Sequence, residues 1–318
     1  MIALKLTDTE HEEVRELVDR IAMEPTNHEE FSFLQRAAVY AQRLPPRIRE
    51  TFYEFKLRET DYALLVSNNP IQASDIGHTP QRHRSADESI ISKPMMLHAM
   101  HASLLGEPFG FRTQQSGHVF NDVIPIKEQA AVSNSSAGSD EKFGFHTEDC
   151  FHPHMPDYLG LLCLRNLEQA ATYISSLRDV TIPPHIKDVL FENRFWIRAN
   201  PMHKQVNPDL IQRKSILFGD RNNPYLRINT ALLDLKDYDE ETAGAMKFVI
   251  NALERNRVSV VLRAGDCLYV DNFQAVHGRD AYRPNYGPHA RWICRVVVAR
   301  DLRKSRDLRE KPDSRIIR

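Results

Sequence analysis

Three His-x-Glu tripeptides occur in the chain: His11-Glu12-Glu13, His28-Glu29-Glu30 and His146-Thr147-Glu148. An imidazole and a carboxylate two residues apart can share a metal ion where the backbone is extended, because alternate residues then project to one face. With 14 histidines in the chain, about two such matches arise by chance, so the tripeptide informs only through its setting. The first two matches open helices, where residues two apart point to different faces and the carboxylates favour the positive end of the dipole. The third follows Phe143-Gly144-Phe145 between strand candidates. A facial non-haem iron site needs two neutral imidazoles and one carboxylate and leaves three positions open. His277, bounded by Gly278 at the end of an apolar strand, is the candidate third ligand. His152 and His154 compete for that place, but Pro153 and Pro156 make their segment a poor rigid scaffold.

Arg291 and Arg295 fall on one face of a predicted strand, with Trp292, Cys294 and Val296 on the other. The planar fork of arginine pairs bidentately with a carboxylate. Two guanidinium groups aimed into a core are costly unless each meets one. One could hold a dicarboxylate cosubstrate and the other a substrate carboxylate; an exposed face carrying both is the alternative.

The elements that must position these residues change character along the chain. Helices are predicted from Thr7 to about Leu44: one is capped by Thr7 or Asp8 and carries Val14, Leu17, Val18 and Ile21. The other is capped by Asn27 and carries Phe31, Leu34, Ala37, Ala38 and Ala41. A short helix over Arg47–Leu57 and a strand over Tyr62–Val66 follow, then a polar loop over Asn68–Pro94. After Gly117 the chain reads as short strands: His118–Ile124, Asp157–Arg165, Ala171–Ile174, Phe195–Arg198, Ser215–Phe218, Leu226–Asn229, Val258–Arg263, Cys267–Asp271 and Trp292–Ala299. Many short strands favour a sandwich or barrel over a parallel sheet. One helical insertion over 239–256 interrupts them, and the charged tail Arg300–Arg318 reads as solvated.

Composition narrows the partners. The 318 residues carry 42 Lys and Arg against 43 Asp and Glu, a formal net charge of -1, so no basic field exists for nucleic acid. No apolar run is long enough to span a membrane and the acidic start is unlike a signal peptide, so a cytoplasmic protein is expected. The four cysteines show no Cys-x-x-Cys spacing and read as reduced thiols, three of them in apolar runs.

Taken in order, these motifs resemble the clavaminate synthase-like group of iron(II)/2-oxoglutarate oxygenases, particularly its hydroxylases of free arginine, asparagine and lysine. Gly144-Phe145-His146-Thr147-Glu148 resembles the first metal motif and Val276-His277-Gly278-Arg279 the distal histidine motif. Ala170-Ala171-Thr172 and Arg291 stand where the group places its 2-oxoglutarate contacts, and Arg295 where it binds the amino acid's carboxylate. The resemblance implies a mainly β fold with flanking helices, a distorted double-stranded β-helix or jelly roll. It implies one oxygenase domain over 1–318, with a helical flank over 1–60 and the core over 117–303. His146, Glu148 and His277 would hold Fe(II), with 2-oxoglutarate and O2 as cosubstrates. Thr172 and Arg291 would bind the cosubstrate, and Gln115, Ser136, Glu148, Asn229 and Arg295 the amino acid. The implied reaction hydroxylates C3 or C4 of a free amino acid with a basic or amide side chain, giving succinate and carbon dioxide. Desaturation or cyclisation uses the same chemistry. A non-enzymatic jelly-roll protein that captures carboxylates, or a zinc hydrolase on the same three ligands, are the readings from other classes. Where an arginine hydroxylase presents an acid to the guanidinium, this chain has Asn229, which bonds but does not neutralise a cation.

Overall fold

Thr7 starts the first helix, Asp8–Ala22, through a capping box: its hydroxyl accepts from the Glu10 N–H, and the Glu10 carboxylate accepts from the Thr7 N–H. Val14, Leu17, Val18 and Ile21 form the buried stripe that their spacing predicts. The computed structural model describes residues 1–131 and 137–318. The expected second helix is broken at Arg36 into Glu30–Leu34 and Ala37–Ala41. That break rotates the buried face onto Phe33, Leu34 and Tyr40, so Phe31 and Ala38, expected in the stripe, are exposed. Asn27, expected as the cap, is instead buried in the turn Pro25–Asn27, where its amide donates to the Ile21 carbonyl and the Tyr40 hydroxyl. Pro46 opens the next helix, Pro46–Arg58, at a position where its missing N–H has no partner to lose.

Two sheets face one another. The larger has eight strands, ordered Ile2–Lys5, Ala63–Ser67, Cys267–Asp271, Tyr158–Arg165, Trp292–Ala299, Glu107–Phe111 and Ile316–Ile317, with Phe120–Val123 also paired to Trp292–Ala299. The smaller runs Val258–Val260, Thr172–Ser176, Ala275–Arg279, Phe143–His146, all antiparallel. Leu159, Leu161, Leu268, Ile293 and Val297 of the larger sheet pack with Ile174 and Ala275 of the smaller as one core. The N-terminal helices cover the outer face of the larger sheet on Leu162, Tyr269, Cys294 and Val296. Pro184–Phe191 and Glu240–Arg255, the latter capped by Asp239, cover the smaller sheet on Phe145, Tyr173 and Val276. A strand buried on both faces reads as a continuous apolar run, which is the character of Tyr158–Arg165 and Trp292–Ala299. The alternation also sends Arg291 and Arg295 to the same side as Ile293 and Val297, between the sheets.

Three features depart from the sequence expectation. Helix Lys93–Leu105 is buried nearly all round, so it has no amphipathic stripe to reveal it. The unexpected strands Ile2–Lys5, Glu107–Phe111 and Ile316–Ile317, together with Ala63–Ser67, which matches the strand expected over Tyr62–Val66, extend the sheet beyond the expected core boundaries of 117–303. The tail is not simply solvated: Ile316–Ile317 pairs in parallel with Gly110–Phe111, and Ser305 and Arg309 are buried. The four cysteines are free and buried, as expected. Among the described residues no helix is long and apolar enough to cross a membrane.

Candidate metal centre

His277 lies directly opposite His146 in the antiparallel pairing of Ala275–Arg279 with Phe143–His146, and the two rings approach to 4.1 Å between centroids. Gly278 beside it has no room for a side chain: a Cβ would lie 2.5 Å from the Phe143 carbonyl oxygen and against the Tyr173 ring. Gly278→Ala should therefore lower stability by roughly 1–3 kcal/mol and displace His277, which thermal unfolding and iron titration would register.

Glu148 is placed by different means. The strand ends at His146, the Thr147 N–H then donates to the Ile228 carbonyl at 2.8 Å, and Asn272 grips the Glu148 backbone from both sides. The Asn272 side-chain oxygen accepts from the Glu148 N–H at 2.7 Å, and its amide donates to the Glu148 carbonyl at 3.0 Å and the Pro156 carbonyl at 2.9 Å. Asn272 carries no mark in the sequence, because its partners are 124 and 116 residues distant. Asn272→Ala should weaken iron binding by about 10- to 100-fold, the usual effect of removing a group that orients a ligand, measurable by iron titration without substrate.

Donor atoms of His146, Glu148 and His277 all lie within 4.8 Å of one another, and among the described residues no second such group occurs. His152, from the competing pair, instead packs edge-on against Phe111 at 4.8 Å. His146 Nδ1 sits 2.9 Å from the Gly144 carbonyl, which makes Nε2 the nitrogen available to a metal. His277 Nε2 lies 3.6 Å from a Glu148 carboxylate oxygen. Burial, with His277 alongside, pushes His146 down to about 3, so it is a neutral imidazole. Burial would raise the Glu148 carboxyl, but the Arg295 guanidinium and the two imidazoles outweigh it and hold it well below the usual range. Neutral imidazole and ionised carboxylate are the forms a divalent cation requires, so the donor set fits iron(II).

The arginines occupy the same cavity. Arg295 donates from Nη1 to Glu148 at 2.6 Å and from Nη2 to the side-chain oxygens of Gln114 and Asn121. Arg291 is buried, its Nε and Nη1 without a hydrogen-bond partner among the described residues, and Thr172, first residue of its strand, lines the same wall. A buried guanidinium with open donors fits a carboxylate. Gln115 faces elsewhere: its amide accepts from the Asp122 N–H and donates to the Asp122 carbonyl, and it lines a neighbouring hollow of about 940 Å³. Gln114 is the neighbour that reaches the metal cavity, and Met202 stands in both walls. Asn229 bridges to His146 through its backbone and caps the Ala231 N–H with its side chain. Ser136 lies outside the described residues.

Known proteins are similar to this chain over its full length. The chain is 32% identical to enduracididine beta-hydroxylase of Streptomyces hygroscopicus and 31% identical to L-ornithine/L-arginine 3-hydroxylase of Catenulispora acidiphila, each over the full length of both chains. Its structure is similar to the non-heme iron oxygenase OrfP in complex with Fe, succinate and (3S)-hydroxy-L-Arg, at a TM-score of 0.92 and 29% identity over the whole of both chains. Asparagine oxygenase in complex with Fe(II), 2S,3S-3-hydroxyasparagine and succinate is similar at a TM-score of 0.89 and 26% identity, covering 100% of this chain and 99% of that one. The profile of the taurine catabolism dioxygenase family matches residues 96–297. With two imidazoles and a carboxylate within reach of one metal ion, a buried guanidinium in the same cavity, and that match across most of both sheets, the chain belongs to the taurine catabolism dioxygenase TauD, TfdA family.

Proposed function

We propose that this iron(II)/2-oxoglutarate-dependent oxygenase hydroxylates C3 or C4 of a free L-amino acid, with succinate and carbon dioxide as coproducts. The observation that carries the reading is Arg291, buried with two donors open in the cavity of the His146, Glu148 and His277 triad. Those three would hold iron, which with 2-oxoglutarate and oxygen supplies the oxidising power to break an unactivated C–H bond. The chain's own residues do the rest. Arg291 forks onto the far carboxylate of 2-oxoglutarate beside Thr172, fixing its orientation. Arg295, held now by Glu148, Gln114 and Asn121, takes the carboxylate of the amino acid, and Glu148 faces its ammonium. Ser136 and Asn229 complete the substrate set, while Gln115 is turned to the Asp122 backbone and Gln114 takes its place in the cavity wall. Phe143, Leu161 and Ile293 keep water from the reacting carbon, and positioning alone is worth several kcal/mol.

The two facing sheets with outer helices support a jelly roll, and strands as distant in sequence as Ile2–Lys5 and Ile316–Ile317 in one sheet support a single domain over 1–318. Four free buried thiols fit a reducing compartment, and we assign the chain to the cytoplasm. The test is mass spectrometry of protein incubated with iron(II), 2-oxoglutarate, oxygen and a panel of free amino acids. A product heavier by one oxygen, with matching succinate, is expected; a product lighter by two hydrogens would redirect the reading to desaturation, and absence of both product and succinate would reject it.

A further inference from the structure

The wall of the cavity limits which side chain the amino acid carries. Glu148, Arg279, Arg291 and Arg295 are the charged side chains lining it, so one acid faces three guanidinium groups among the described residues. Iron(II) and the 2-oxoglutarate dianion cancel one another, and the amino acid's own ammonium and carboxylate add no net charge. The loaded cavity therefore keeps an excess of positive charge. A guanidinium or ammonium on the substrate's side chain would be buried there without a counter-charge. Three acids close by are engaged away from the cavity lining: Asp149 with His203 at 2.7 Å, Asp122 with Arg84 at 3.0 Å and the Trp292 indole at 2.9 Å, and Glu168 with the backbone N–H groups of Arg291 at 3.2 Å and Asn285 at 3.1 Å.

An anionic side chain would meet that excess charge but finds the guanidinium groups already engaged. Arg295 holds Glu148, Gln114 and Asn121, and Arg279 donates to the Asp280 and Glu141 carbonyls. Arg291 belongs to the cosubstrate. The remaining polar groups of the wall include two carboxamides, Gln114 and Asn200; their oxygens accept from Arg295 and from the Met202 N–H, which leaves each an NH2 donor and a second lone pair on the oxygen. Such walls match another amide or a urea.

Resting on the hydroxylase reading, we propose that the substrate's side chain ends in a neutral amide or ureido group, as in glutamine or citrulline, and that cationic amino acids are discriminated against by charge. Citrulline and arginine have nearly the same shape, so the pair isolates charge. Binding to the protein loaded with iron(II) and 2-oxoglutarate without oxygen is measured by calorimetry for citrulline, glutamine, arginine, ornithine and glutamate, and oxygen is then admitted for product analysis. Citrulline or glutamine should bind about 100-fold more tightly than arginine or ornithine, the scale of an unpaired buried charge, and become hydroxylated. Asn200→Asp should narrow that gap at least tenfold, since it adds a counter-charge while keeping the acceptor for the Met202 N–H. Arginine binding as tightly as citrulline, or glutamate more tightly than glutamine, would overturn this inference while an oxygenated product left the hydroxylase reading standing. Failure to bind 2-oxoglutarate, with no product from any amino acid, would overturn both. Should Asn200→Asp not fold, the comparison of arginine with citrulline on the unaltered protein decides alone.

Discussion

Glu148→Ala is expected to leave no detectable hydroxylated product and to cost the iron-free protein roughly 3–5 kcal/mol of stability. The two losses have separate origins. Without the carboxylate, the metal keeps only two imidazoles of its facial set, His146 and His277. Without its partner at 2.6 Å, Arg295 remains buried against two neutral amides, Gln114 and Asn121. Product analysis checks the first and thermal unfolding of the iron-free protein the second. Turnover at the wild-type rate would reject Glu148 as a ligand, and unchanged unfolding would show that Arg295 finds its counter-charge elsewhere.

Arg291→Ala should raise the KM for 2-oxoglutarate about 100-fold, the range for truncating one partner of a buried charged pair. Its Nε and Nη1 bond no other described residue, so the effect of removing them falls on the ligand. Amino acid binding should change little. Arg295→Ala should show the opposite split, weakening the amino acid far more than the cosubstrate. Succinate formation followed against each ligand in turn separates the two, and equal losses in both would contradict the division of labour between the arginines.

How legible the site is depends on how local its determinants are. Arg291 and Arg295 share a strand face, so spacing alone brings them together; His146 and Glu148, two residues apart, are marked as a pair by spacing, although Glu148 lies past the strand end and is set by Asn272. The arginines' placement between the sheets follows from the apolar residues that alternate with them, Ile293 on their side and Cys294 on the other. Asn272 was not legible, since an asparagine after a strand reads as a turn residue until Glu148 is seen against it. Helix Lys93–Leu105 was hidden for the opposite reason: a helix enclosed on every side loses the period that marks a surface helix. Helix boundaries failed where tertiary packing overrode local pattern, as at Arg36, where a break moved Phe31 out of the core. The family resemblance supplied what spacing lacks, the pairing of His277 with a motif far upstream.

That His146 and His277 face each other in one antiparallel pair ties metal uptake to strand alignment. A slip of one residue in this pairing would turn His146 to the opposite face and leave His277 facing Phe145 or Thr147. Iron then binds tightly only to chains whose small sheet is correctly aligned, and by mass action it draws the population toward them. The ion that the enzyme uses for chemistry also serves as a proofreader of its folding, so iron-starved cells would hold less of the active protein than its synthesis alone would give.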